Sequence, residues 1–318
     1  MSNLPTHPPA IEVSNLHKRF GDLAAVQGVS FQVAPGEVFS LLGPNGAGKS
    51  TTISIISGLL APTSGEACIM GHSVAREPAA AKGSLGVVPQ DIALYPDLSA
   101  RENLVFWGKM YGLRGALLNE RVDEVLVLIG LADRQKGRVG TFSGGMKRRV
   151  NIGVALLHRP AVVIMDEPTV GIDPQSRRHI LDNVKGLNQA GMAVLYTTHY
   201  MEEAAELSHR IAIMDQGRLI ACGTHAELIR LIGELDRVSL TLSGEPNGVL
   251  AAWRQADGVA QVAQEDGHID VLAEDSNLVL PRLFDLATDA GVRINSVEIQ
   301  EPNLEAVFLH LTGRALRD

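Results

Sequence analysis

From Gly43 to Thr51 the chain reads Gly-Pro-Asn-Gly-Ala-Gly-Lys-Ser-Thr, and each residue type in that string suits contact with phosphate. The spacing, G-x-x-x-x-G-K-[ST], is that of the loop with which nucleotide hydrolases hold a triphosphate. Glycines at 43, 46 and 48 let the backbone curl. The N–H groups of Asn45, Gly46, Ala47 and Gly48 can then turn toward phosphate oxygens, where a Cβ would obstruct the approach. Lys49 supplies a compact ammonium for the β- and γ-phosphates, and the Ser50 hydroxyl is a hard ligand suited to Mg2+. Thr51 completes the cradle at the start of a helix, whose N-terminal dipole favours the same anion.

A second glycine pair opens another helix. Ser143-Gly144-Gly145-Met146-Lys147-Arg148-Arg149 precedes an apolar run through Val154, Leu156 and Leu157. Ser143 is a natural N-cap, and the glycines expose backbone donors to an anion. One nucleotide does not need two such helix ends from one chain, whereas two chains facing each other head to tail would use both. Lys147, Arg148 and Arg149 are expected to form a solvated helix face. Next comes Ala161-Val162-Val163-Ile164-Met165-Asp166-Glu167-Pro168, a buried strand ending in two carboxylates and a proline that blocks continuation. On an extended backbone neighbouring side chains point to opposite sides, so Asp166 and Glu167 should have different tasks.

In this order the motifs resemble those of the ATP-binding-cassette (ABC) family, whose signature is Leu-Ser-Gly-Gly-Gln. The chain departs from it with Phe142 for the leucine and Met146 for the glutamine. The resemblance implies that Asp166 is the Mg2+-linked aspartate and that Glu167 orients the attacking water and takes its proton. It implies that Gln90, after Leu85-Gly86-Val87-Val88-Pro89, reaches the metal or water and senses a partner protein. It further implies that Asp173 crosses to the opposite subunit, that His199 touches the γ-phosphate, and that Phe20 stacks on adenine. ATP and Mg2+ are then the ligands, and two copies sandwich two nucleotides head to tail beside a separate transmembrane permease. The Ser-Gly-Gly-Met-Lys-Arg-Arg string and the tail Glu301-Pro302-Asn303-Leu304-Glu305-Ala306-Val307-Phe308 resemble ATPase subunits of ABC-2-type exporters, the daunorubicin-resistance group among them.

The elements that must position these residues are legible around them. Val38–Leu42 reads as a buried strand leading into the phosphate loop, and Thr51–Leu60 as the helix after it. Ile11–Val13, Ala25–Val26 and Val29–Val33 read as an antiparallel start broken by glycines. Leu98 to Gly140 is mostly helical, with Ser99-Ala100-Arg101-Glu102 as a capping box. In the family such a helical subdomain docks the membrane partner; Phe106, Trp107 and Tyr111 belong either to that surface or to the core. Asp215-Gln216-Gly217 is a hairpin turn, and the helix Ala226–Leu231 closes the cassette. From Val238 the order is strand, helix, two strands joined at Glu265-Asp266-Gly267, helix, strand, which fits a ferredoxin-like unit. A last helix places Leu304, Val307, Phe308 and Leu311 on one apolar face. The expected fold is α/β: a P-loop ABC cassette with a RecA-like core, antiparallel β and helical subdomains (1–233), followed by a small α+β domain (236–318).

Composition bounds the function. The 318 residues favour two domains, and 28 Lys+Arg against 36 Asp+Glu leave a net charge of −8, which argues against a nucleic-acid partner. Two distant cysteines make neither a disulfide framework nor a metal-ligand pattern, in keeping with the cytoplasm. The chain carries no apolar run of the ~18 residues that spanning requires, and 1–9 has no apolar leader segment. A pore, if this chain drives one, belongs to another polypeptide, which would hold the ATPase on the inner face of the membrane. The rival expectation is a soluble ABC ATPase acting on nucleic acid or ribosomes; it lacks the long coiled coil or second cassette that such relatives carry.

Overall fold

The computed structural model describes residues 8–231, 235–243, 247–265, 268–300 and 303–313. The expected boundary at 233, the Asp266-Gly267 turn and Glu301-Pro302 lie outside these residues. By its contacts the chain divides between Leu219 and Ile220, and each unit is described by itself.

The first unit opens with β1 (Ile11–Phe20), β2 (Leu23–Val33), β3 (Val38–Leu42), α1 (Lys49–Ile56), β4 (Ser64–Ile69) and β5 (His72–Ser73). It continues through α2 (Pro78–Gly83), β6 (Leu85–Val88), α3 (Ala100–Met110), α4 (Gly115–Leu128), α5 (Gly144–Leu156) and β7 (Val162–Asp166). It ends with α6 (Pro174–Gln189), β8 (Ala193–Thr198), α7 (Met201–Leu207), β9 (Arg210–Asp215) and the start of β10 (Arg218–Gly223). β1, β2, β4 and β5 make an antiparallel sheet. β1 is far longer than its three apolar residues foretell. Bulges shift its register between Val13 and Leu16 and again before Arg19, so the period-2 pattern is broken while the ladder continues.

The main sheet runs β9-β3-β8-β7-β6 with parallel pairing throughout, and β10 returns on β9. Its five parallel strands are largely buried on both faces, which explains their mostly apolar sequences. Phe39 and Leu41, Val162 and Ile164, and Ala193 and Leu195 turn to one core with α1 and the antiparallel sheet. Val38, Val163, Met165, Val194 and Tyr196 turn to the other, shared with α3 to α6. The phosphate loop, Gln90, Glu167 and His199 all follow carboxyl ends of these parallel strands, where open α/β sheets place ligands. α1 begins at Lys49, earlier than expected, because Gly48 takes a left-handed φ of 101° as its N-cap; it ends at Ile56 rather than Leu60 because Gly58 is left-handed too.

The second unit begins with the rest of β10 and α8 (His225–Arg230), followed by β11 (Asp236–Ser243), α9 (Asn247–Trp253), β12 (Val259–Glu265) and β13 (His268–Ala273). It closes with α10 (Ser276–Asp289), β14 (Arg293–Gln300) and α11 (Leu304–Thr312). The sheet order is β12-β13-β11-β14, all antiparallel, the βαββαβ arrangement expected. α11 is covered within its own unit. It packs on α8, accepts a bond from Gln261 Nε2 at the Leu309 carbonyl (3.0 Å), and buries Ala306 and Leu309 as well as Leu304, Val307 and Phe308.

Candidate active site

The phosphate loop is shaped by what surrounds it. A Cβ on Gly43 would run into the Met214 carbonyl, and one on Gly48 would meet the Ala25 carbonyl and the Met214 side chain. Gly217 N–H bonds the Ala47 carbonyl at 2.9 Å, fixing the loop against the β9–β10 turn. The result is a cleft of about 640 Å³ lined by Phe20, Asn45, Gly46, Gly48, Lys49, Ser50, Thr51, Gln90 and Glu167. Phe20 is 48% exposed at the end of β1, with Lys18 Nζ over its ring at 5.0 Å, so it is a surface ring at the cleft rather than core. Leu23 and Gln216 also line the cleft; neither carries a sequence signal of its own.

Glu167 stands at the centre. Its φ is +45°, in the left-handed region, although a proline follows and would ordinarily hold it extended. Two contacts hold this geometry: Glu167 N–H donates to Thr197 Oγ1 (2.9 Å) and lies 3.2 Å from the Thr197 carbonyl. Oε1 pairs with Lys49 Nζ at 3.0 Å, while Oε2 lies 3.5 Å from both Gln90 Nε2 and His199 Nδ1. Lys49 further donates to the Gly43 and Pro44 carbonyls at 2.7 and 3.2 Å. The two carboxylates do part, but by this kink and not by strand alternation.

Asp166, the last residue of β7, accepts from Thr197 Oγ1 at 2.6 Å, and its Oδ1 is 3.5 Å from Ser50 Oγ. The Ser50 hydroxyl, which lines the cleft, and the Asp166 carboxylate beside it are hard oxygen donors of the kind Mg2+ takes. Ser50 and Asp166, with the Gln90 amide nearby, would hold the ion. When bound it neutralises charge on the β- and γ-phosphate oxygens.

Ser143, Gly144, Gly145 and Asp173 form a second locus and do not line this cleft. Ser143 caps α5 by accepting from Met146 N–H (3.2 Å), and Asp173 caps α6 by accepting from Ser176 N–H (2.9 Å). The two helix ends adjoin, since a Cβ on Gly145 would meet the Ser176 side chain and lie 3.6 Å from Asp173 Oδ2. Ser143, Gly144 and Asp173 are exposed. That bond from Ser176 N–H holds the Asp173 carboxyl below its usual range. Met146 packs against the core beside α5.

The expected solvated face at 147–149 is wrong for its arginines. Arg148 is 4% exposed and donates to the carbonyls of Pro89 (2.7 Å) and Gln90 (2.6 Å); Arg149 reaches the carbonyls of Ile129 and Gly130, both at 3.2 Å. Their stems cross neighbouring elements to carbonyls left over at loop and helix ends, which a single-helix reading cannot foresee.

A family model described as "ABC transporter" matches residues 26–170. The linearmycin resistance ATP-binding protein of Bacillus subtilis (strain 168) is 51% identical over 310 residues, covering 97% of this chain and 100% of its own. The chain belongs to the ABC transporter family. It is a nucleotide-binding ATPase subunit of that family. The Nod factor export ATP-binding protein I of Paraburkholderia xenovorans is 38% identical, over 97% of this chain and 99% of its own. Among solved structures, a dimeric ATP-binding cassette in a post-hydrolysis state bound to ADP and Pi matches with a TM-score of 0.61 and 28% identity, covering 67% of this chain and 98% of that one.

In this ABC ATPase two further residues organise the site without touching the cleft. Thr197 serves both acids at once, and it faces Asp166 because the two are register partners across β7 and β8. Glu203, on α7 and 3% exposed, accepts at Oε2 from Tyr196 OH (2.8 Å), Thr169 Oγ1 (3.0 Å) and Thr198 Oγ1 (3.0 Å). It thereby ties the stretch after Glu167 to the one before His199. Burial, with the Glu203 charge adding to it, pushes the Tyr196 hydroxyl well above its usual range, so it remains a donor. Phe106 and Trp107 are half-buried in an aromatic chain with Tyr95, and Trp107 packs on the core; Tyr111 is 40% exposed and stacks on His158. No helix among the described residues is long and apolar enough to cross a membrane.

Proposed function

We propose that this chain is the ATP-hydrolysing subunit of an ABC-2-type exporter. Two copies act as a head-to-tail pair on the inner face of the membrane, beside a separate membrane-spanning permease that selects the cargo. One observation carries this reading: Ser143 and Gly144, exposed at the start of α5, and their exposed neighbour Asp173 lie outside the cleft that gathers Lys49, Ser50 and Glu167. Each nucleotide then sits between the cleft of one chain and the Ser143 end of the other. The Ser143 hydroxyl still has its proton to donate, and the α5 dipole favours the γ-phosphate.

In the reaction, Lys49 and the loop N–H groups hold the β- and γ-phosphates, and Ser50, Asp166 and Gln90 would hold Mg2+. Glu167 accepts a proton from water as its oxygen bonds to the γ-phosphorus, and the bond to the β-phosphate oxygen breaks to release ADP and phosphate. His199, beside Glu167, donates to the γ-phosphate. Phe20 stacks on the adenine. The names of the relatives in antibiotic resistance and Nod factor export support the exporter assignment.

Analytical ultracentrifugation tests the pair. Glu167→Gln with saturating ATP should sediment as a dimer, and Glu167→Gln/Ser143→Arg as a monomer that still binds ATP. A Glu167→Gln chain that binds ATP yet stays monomeric at any concentration, alone and with its permease, would sink the head-to-tail reading.

A further inference from the structure

We propose that Arg148 is a positioning residue for Gln90, so that α5 sets the geometry of its own chain's cleft. β6 ends at Val88, and the segment from Pro89 to Ala93 leaves the sheet ladder. Side chains of α5 hold that segment. Arg148 donates Nη1 to the Pro89 carbonyl (2.7 Å) and Nη2 to the Gln90 carbonyl (2.6 Å). Three residues on, and on the same helix face, Asn151 Oδ1 accepts from Ala93 N–H at 3.3 Å. Both side chains are almost fully buried, at 4% and 2%. The rigid guanidinium fork reaches two successive carbonyls, which a lysine ammonium cannot match.

The consequence lies in one marginal distance. Gln90 Nε2 stands 3.5 Å from Glu167 Oε2, at the limit of a hydrogen bond, so a shift of a few tenths of an ångström in 89–93 makes or breaks the contact. Arg148 follows Ser143 by little more than one helical turn, and hydrogen bonds within the 13 residues of α5 make that stretch move as a unit. Whatever displaces the Ser143 end therefore displaces Gln90 relative to Glu167. In the head-to-tail pair proposed above, on which this inference rests, the displacing group is the opposite chain's ATP. Each cleft is tuned by occupancy of the other.

The test compares Arg148→Met and Arg148→Lys in the full-length chain, measuring ATP affinity and turnover separately, and crosses Arg148→Met with Gln90→Ala. ATP affinity should stay within about twofold of the parent, since Arg148 does not line the cleft. Turnover should fall roughly ten- to a hundredfold, the range that one lost charge-assisted hydrogen bond permits. The double variant should hydrolyse ATP at the Gln90→Ala rate, because Arg148 acts through Gln90; a residue needed only for folding would add its own loss. Unchanged turnover in Arg148→Met, or a loss that adds in full to that of Gln90→Ala, overturns the proposal. If Arg148→Met fails to fold, Arg148→Lys crossed with Gln90→Ala gives the same reading. Lys49→Ala and Glu167→Gln run alongside: hydrolysis surviving both would overturn the site assignment itself, whereas its loss in both with an intact Arg148→Met overturns only this inference.

Discussion

Lys49 Nζ and Glu167 Oε1 stand 3.0 Å apart, with side chains only 3% and 5% exposed. The two groups thus neutralise each other, the cation proposed to bind phosphate and the carboxylate proposed as the base, and Lys49 gives its other two donors to the Gly43 and Pro44 carbonyls. In the proposed reaction a γ-phosphate must compete with Glu167 for Lys49, and in doing so it would free the carboxylate for water. On that proposal, binding and activation of the base are one exchange. Removing either partner should therefore have separable effects. Glu167→Gln is expected to bind ATP at least as tightly as the parent, its competing charge gone, and to lose about 10²–10⁴ in turnover, the usual weight of a general base. Lys49→Ala should lose ATP binding and, by stranding a buried carboxylate, about 3–5 kcal/mol of stability. Fluorescent-nucleotide titration with thermal melts of both variants checks this; near-parental hydrolysis by Glu167→Gln would remove the base from its role.

Thr197→Val preserves shape and deletes one hydroxyl. It removes the 2.6 Å donor to Asp166 Oδ1, leaving only Ser50 Oγ at 3.5 Å, and the 2.9 Å acceptor of Glu167 N–H, leaving only the Thr197 carbonyl at 3.2 Å. The expected cost is about 1–3 kcal/mol in urea unfolding, with lowered turnover as the left-handed turn at Glu167 relaxes. Unfolding curves that coincide with the parent's would refute it.

Glu203→Leu leaves three hydroxyls, on Tyr196, Thr169 and Thr198, without their shared acceptor. Stability should drop by at least about 3 kcal/mol. The milder Glu203→Gln should fold and lower turnover at unchanged ATP affinity, since the carboxylate links the Glu167 and His199 segments. A variant of the second kind with parental turnover would confine Glu203 to folding.

Met146 stands where the family signature has a glutamine, yet its side chain packs on the core. Met146→Ala should accordingly change turnover only modestly, whereas Ser143→Arg should abolish it by blocking the partner's nucleotide. Steady-state hydrolysis decides; a large loss in Met146→Ala beside an active Ser143→Arg would reverse the assignment.

His158 is half-buried against Tyr111, and desolvation lowers its pKa despite its contact with the Leu85 carbonyl. Folded His158 therefore binds its proton less readily than unfolded His158 does. Above about pH 6.5 both forms are neutral and the residue imposes no pH dependence; as pH falls below that, only the unfolded chain protonates readily and stability declines. His158→Gln should flatten the decline in melting temperature between about pH 6.5 and 5. An unchanged slope would show that other groups set it.

Much of this was legible because local chemistry and burial coincide in the sequence. The phosphate loop is read from its glycines, lysine and serine, and the strands before Asp166 and His199 from apolar runs that belong in the interior. The βαββαβ order of the second unit could be read from alternation and turn residues alone. What stayed hidden were residues whose partners are remote in sequence. Arg148 looks like surface until Pro89 and Gln90 fold beneath it. Thr197 looks like strand filler until β7 and β8 pair in register. Glu203 sits in an acidic helix start, and three hydroxyls from two strands' ends make it interior. Asn15 and the bulges of β1 hid a strand by disrupting the alternation that identifies one.

The phosphate loop hangs from β3, and among the described residues β3 pairs with β8 on one edge and β9 on the other. A chain emerging from the ribosome has thus made its whole nucleotide motif long before either neighbour exists, because β8 begins at Ala193 and β9 at Arg210. At about 5–20 residues per second, that interval lasts on the order of ten seconds or more. Throughout it, an apolar strand presents two open edges, the surfaces on which nascent chains aggregate. ATP cannot template the cleft during that time. Biogenesis, more than the finished fold, is where this ATPase is vulnerable, and truncated products ending before Ala193 should need chaperone cover that the full chain sheds.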